Sequence, residues 1–106
     1  MAITDITGKY SLNTNQNLGY MELTQEGTRI FGKMYWYTNR KDEDYYREDT
    51  FEGTITQSKK AKSVELTFSR KINPQDFKGW MSQDYKLISG FFDNGLRYAW
   101  VATKLP

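Results

Sequence analysis

Cysteine and histidine are both absent from the chain, and proline occurs only twice. Without cysteine there is no disulfide framework and no thiolate chemistry. Without histidine the usual general base and the commonest zinc ligand are missing. Long apolar runs are lacking too. No stretch approaches the ~18 consecutive apolar residues that a membrane helix needs. The opening MAITDITGKY has neither the basic start nor the apolar run of a signal peptide. These absences predict a cytoplasmic protein without membrane association, or else a mature or excised domain that lacks its signal peptide. Charge of one sign is also scarce. Lys and Arg total 15 against 13 for Asp and Glu, so a net charge of +2 gives no general pull toward nucleic acid or anionic lipid.

Aromatics are plentiful at 16% of the chain, a mix that favours strands over helices. The 106 residues suit one domain spanning 1–106, long enough to bury roughly 65% of the unfolded surface. The most ordered stretch is Asp84 to Lys104, where two apolar runs flank Asn94-Gly95. That dipeptide tolerates positive φ at both centres of a type I′ turn and so predicts a hairpin. A two-residue loop puts Asp93 opposite Leu96, Phe91 opposite Tyr98, Ser89 opposite Trp100 and Leu87 opposite Ala102. One face then carries Leu87, Phe91, Leu96, Tyr98 and Trp100. The other carries Ile88, Gly90, Phe92, Ala99 and Val101, so both faces need cover.

Upstream, Ile6–Leu12 reads as a first strand and Leu18–Gln25 as a second, with Met21 and Leu23 facing away from Leu18 and Tyr20. Glu26-Gly27 is a turn. Arg29–Tyr37 is strongly β and ends in three aromatics, of which Tyr35 and Tyr37 share a face. Glu48–Gln57 alternates through Phe51, Gly53 and Ile55, and Val64–Arg70 through Val64, Leu66 and Phe68. Lys71–Gln83 reads equally as a packed loop, a helical turn or a short strand. Ile6-Thr7-Gly8, Ile30-Phe31-Gly32, Phe51-Glu52-Gly53 and Ile88-Ser89-Gly90 repeat an apolar-x-Gly pattern. Glycine inside a strand marks a bend or a close backbone approach, and its recurrence predicts a sheet curling into a barrel. The expected fold is an all-β, small antiparallel up-and-down β-barrel of seven or eight strands, with an OB-like barrel as the alternative.

The strand order resembles the avidin-like members of the calycin superfamily. Thr7-Gly8-Lys9-Tyr10 with Asn17-Leu18-Gly19 is similar to that family's opening strand and first ligand loop. Ile30–Tyr35 is similar to its third strand, Val64–Phe68 to its fifth, Ile88–Phe91 to its sixth, and Leu96–Val101 to its seventh. The resemblance implies Trp100 as a cavity wall, with Asn17 and Tyr35 as polar lining. Departures argue against biotin itself. Tyr20 follows Leu18-Gly19 where the family has a serine, Phe68 holds a tryptophan position, and the sequence ends before a further strand.

Candidate sites follow. Trp100, Tyr98, Phe91, Tyr35, Tyr37 and Phe68 line a ligand cavity or simply fill the core. Ile88, Phe92, Ala99 and Val101 form an outer apolar patch suited to a homodimer, unless Lys71–Gln83 folds over it with Phe77 and Trp80. Asp42, Glu43, Asp44, Glu48 and Asp49 crowd one charged run, but without EF-hand spacing they read as a solvated loop. Lys59, Lys60 and Lys62 read as a solubilising turn. The expected function is non-enzymatic binding of a partly apolar small molecule at the barrel's open end, with no cofactor. Asn13–Asn17, Thr38–Thr50 and Lys71–Gln83 supply its rim. One alternative is a protein-binding module, such as a protease inhibitor or immunity-type barrel, anchored by Trp80 and Phe77. Another is single-strand nucleic-acid binding through Tyr35, Trp36, Tyr37, Lys33, Arg29 and Lys62, which the charge balance disfavours.

Overall fold

Alternation of apolar and polar residues closes this chain into a ring. A computed structural model describes residues 5–14, 18–37, 46–57, 63–71, 75–93 and 97–106, with the side chains of Tyr37, Tyr46 and Arg47 left aside. Its strands are β1 (Gly8–Thr14), β2 (Leu18–Glu26), β3 (Arg29–Tyr37), β4 (Tyr46–Gln57), β5 (Val64–Arg70), β6 (Asp76–Met81), β7 (Leu87–Asp93) and β8 (Arg97–Lys104). Each pairs antiparallel with its neighbour in sequence, and β1 pairs with β8 to close the barrel. This up-and-down order differs from the OB-like alternative. The undecided stretch 71–83 contains β6, which lies between β5 and β7 in the wall rather than over the outer face of the last hairpin. The first strand starts at Gly8, and Ile6 lies buried just before it.

Inward positions follow the expected alternation in β2, β4 and β5: Met21 and Leu23, Phe51 and Ile55, and Val64, Leu66 and Phe68 are all buried. The last hairpin differs by one residue. Asp93 faces Arg97, Phe92 faces Tyr98, Gly90 faces Trp100 and Ile88 faces Ala102. A slip of one residue exchanges faces, so Ile88 and Phe92 point into the core while Leu87 and Phe91 point out. Asn94 and Gly95 lie outside the described residues.

With this register the interior becomes an aromatic ladder. Phe68, Phe77, Phe92 and Tyr98 stand opposite one another on β5 to β8. Successive ring centroids lie 5.0, 4.7 and 5.1 Å apart in stacked geometry. Phe51 adds a tilted contact to Phe68 at 5.1 Å, and Trp100 meets Phe68 edge-on at 5.6 Å. Such pairs add about 0.5–1.5 kcal/mol each beyond their burial.

The apolar-x-Gly positions act largely as their repetition suggests. At Gly32, Gly53 and Gly90 a Cβ would collide with the carbonyl oxygens of Glu22, Thr67 and Lys78 respectively, so neighbouring backbones approach where no side chain fits. Gly8 differs, since only the flexible Lys104 side chain stands near it. Gly79 serves the core instead. A Cβ there would sit 2.6 Å from the Trp100 ring, so its bareness makes room for the indole.

The two ends of the barrel differ. At the end holding the β2–β3 turn, Tyr10 runs up the interior and donates its phenol to the Ile6 carbonyl at 2.7 Å. The Ile6 N–H donates to Gln25 Oε1 at 3.0 Å. Met81 and Tyr85 pack against the core beside them. Tyr85 holds a φ of 60°, fixed by a turn in which Asp84 accepts from Ser82 Oγ at 2.6 Å. This end is plugged.

Two outcomes test this packing. Gly79→Ala should destabilise the fold by about 2 kcal/mol, because the rigid indole cannot yield. Urea unfolding measures it, and Trp100→Phe in the same background should restore part of the loss. Burial pushes the Tyr10 phenol up to about 12 from an ordinary value of 10.0. A raised value in the folded state means stability that is complete below pH 10 and lost as pH climbs toward 12. Tyr10→Phe should therefore cost about 1 kcal/mol at neutral pH by orphaning the Ile6 carbonyl. It should also flatten the alkaline decline seen in unfolding curves.

Candidate functional site

The opposite end, where β1 passes to β2, β3 to β4, β5 to β6 and β7 to β8, carries the buried charges among the described residues. Extending the inward alternation of β4 past Phe51 reaches Asp49, and extending that of β5 past Phe68 reaches Arg70. The two meet as an ion pair, Arg70 Nε donating to Asp49 Oδ2 at 2.8 Å, with side chains only 11% and 2% exposed. Asp49 Oδ1 accepts the Thr50 N–H at 2.8 Å. Arg70 Nη1 donates to Gln75 Oε1 at 2.5 Å. The guanidinium lies over the Trp36 ring, 5.3 Å from its centroid. Trp36 comes from the inward face of β3 and is 7% exposed, yet its indole N–H has no acceptor among the described residues. A buried donor left unpaired costs about 1–3 kcal/mol. At the same end Tyr98, half-buried, terminates the aromatic ladder.

The residues expected to line a cavity are distributed otherwise. Trp100 is buried, with its N–H donating to the Lys78 and Phe91 carbonyls at 3.2 and 3.1 Å, so the protein itself occupies its polar edge. Phe68 is ladder core. Tyr35 points outward, because alternation sends Trp36 inward, and it stacks on Tyr20 at 4.5 Å. Desolvation and a hydrogen bond to Glu22 push its phenol up to about 12. Phe91 lies on the outer wall, 6.3 Å from Trp80, with Arg97 over its ring at 4.5 Å. Of the expected lining whose side chains are described, Tyr98 alone stands at the polar end with its ring inside, and the side chain of Tyr37 is not among them. Asn17 lies outside the described residues, and so do Asp42, Glu43, Asp44, Lys59, Lys60 and Lys62.

The other assignments divide as well. Phe77 is 1% exposed in the ladder and cannot anchor a partner, whereas Trp80 is 37% exposed on the outer wall. The outer patch loses Ile88 and Phe92 to the interior and keeps Ala99 and Val101. Glu48 pairs with Lys33 at 3.0 Å. Among the described residues no group of three or more His, Cys, Asp or Glu is placed to hold a metal. No helix there is long and apolar enough to cross a membrane.

An open groove of about 580 Å³ crosses the outer face of β2–β4 beside Tyr35. Its charges are matched by one another: Arg29 meets Glu52 at 2.6 Å, and Lys71 meets the same carboxylate at 3.4 Å. The Arg29 hydrogen bonds and Lys71 hold Glu52 below the usual carboxylate range. Exposed pairs of this kind contribute little.

Sequence reasoning missed Trp36, Asp49, Arg70 and Gln75 as a group. Their signal was present in the alternation, two residues beyond the last apolar position of β4 and β5. No protein-family profile matches the chain, and no curated protein is similar to it at a significant level.

Removing one member of the buried pair should be costly. Arg70→Met or Asp49→Leu alone should destabilise by about 3–5 kcal/mol. The double variant should recover most of that loss, as a double-mutant cycle by urea unfolding would show.

Proposed function

We propose that this barrel is a non-enzymatic binding protein, of calycin type, that holds a partly apolar small molecule at the end around Trp36. The unpaired indole N–H of Trp36, buried beside the Asp49–Arg70 pair, carries this reading. Core groups without partners are rare, and one that persists calls for an explanation such as an acceptor brought by a ligand. Two further features support it. The middle of the barrel is filled by the ladder and the far end is plugged by Ile6, Tyr10 and Tyr85, so a ligand has one end left to enter. Tyr98 offers stacking surface at that same end. The consecutive up-and-down closure agrees with a calycin-type barrel. The role of wall, implied for Trp100 by resemblance, passes to Trp36.

A second reading has one observation in its favour. Trp80 is exposed on the outer wall with Phe91 beside it, and its N–H donates to Glu65 at 3.2 Å. Large exposed aromatics of this type anchor protein partners. In that case Trp80→Ala would abolish capture of the partner and leave the fold unchanged.

Native mass spectrometry of the purified chain separates the two. The binding reading expects a small-molecule adduct on the folded ions that vanishes on denaturation, and that Tyr98→Ala weakens. A bare mass, with Trp80-dependent capture of a protein, would overturn it.

A further inference from the structure

At the polar end the Trp36 indole N–H is buried without an acceptor among the described residues. Close by is the guanidinium of Arg70, whose Nε and Nη1 donate to Asp49 and Gln75 and whose Nη2 is a further donor. Both groups can only donate. The guanidinium lies 5.3 Å from the Trp36 ring centroid, so the two donors belong to one small site. What the indole lacks is an acceptor oxygen.

The charge of that oxygen follows from the ion pair. Arg70 already has its counter-ion, Asp49, at 2.8 Å in a setting where both are largely buried. A second anion would share one guanidinium with Asp49 and face its carboxylate through a low-dielectric interior, where like charges repel strongly. A neutral carbonyl accepts from both donors without that repulsion. We propose that the ligand presents a neutral carbonyl oxygen, carried on a planar apolar group, to Trp36 Nε1 and Arg70 Nη2. This rests on the reading that the barrel binds a small molecule at this end.

The test uses benzamide and benzoate, which share a shape and differ in charge, titrated into the full chain labelled with ¹⁵N. The chain has three tryptophans and hence three indole N–H signals, one of which Trp36→Phe should delete. If that variant does not fold, nuclear Overhauser contacts to the Arg70 side chain identify the same signal in the unaltered protein. Benzamide should move the Trp36 indole signal saturably, with benzoate binding about tenfold more weakly. Trp36→Phe should weaken benzamide binding several-fold. Shifts gathered at this end that leave the Trp36 indole unmoved would overturn the inference while keeping the binding reading. Equal or tighter binding of benzoate would overturn the neutral carbonyl. Silence at this end with both probes at millimolar concentration would overturn the inference and the binding reading together.

Discussion

The stacked ladder Phe68–Phe77–Phe92–Tyr98 is the contact on which the rest of the barrel depends. It runs straight across four neighbouring strands, so it exists only if each pair of strands keeps its register. A slip of one residue anywhere between β5 and β8 would turn a ring out of the interior and leave a void. The ladder also leaves Trp100 one place to lie, edge-on to Phe68 and Phe77 and over the bare Gly79. Packing of this kind selects one closed arrangement from the several that alternating strands permit.

The same packing sets where chemistry can happen. Rings occupy the middle of the barrel, and Ile6, Tyr10 and Tyr85 close one end. The buried charges among the described residues, Asp49 and Arg70, meet at the other end. Burying such a pair is not an efficient source of stability, and well-packed apolar residues often do as well. Its presence, with an unpaired indole beside it, therefore argues for a role at that end beyond holding the wall together.

Much of the architecture was legible in the sequence. β2, β4 and β5 alternate cleanly, with Val64, Leu66 and Phe68 separated by polar residues, so only one face fits a core. The glycines at 32, 53 and 90 signalled the curl, because each sits where a neighbouring carbonyl leaves no room for a side chain. β7 was not legible in this way. Leu87 and Phe91 compete with Ile88 and Phe92 for the interior, both sets are apolar, and local turn chemistry alone chose the wrong one. The fit of Phe92 between Phe77 and Tyr98 decides the matter, and that is a contact between distant strands. Phe77 was hidden for a similar reason: it stands in a stretch whose strand character comes from pairing with β5 and β7. The candidate site was obscured by composition. Asp49 closes an acidic run that reads as solvated, and Arg70 ends a strand where a charge is expected to reach water.

The most direct check is a high-resolution crystal structure of the protein purified from its own source, read at Trp36 Nε1. An oxygen of a bound small molecule within hydrogen-bonding distance of both Trp36 Nε1 and Arg70 Nη2 would bear out the account. A Trp36 N–H that donates instead to a carbonyl of the protein's own backbone would contradict it, and this end would then be ordinary core.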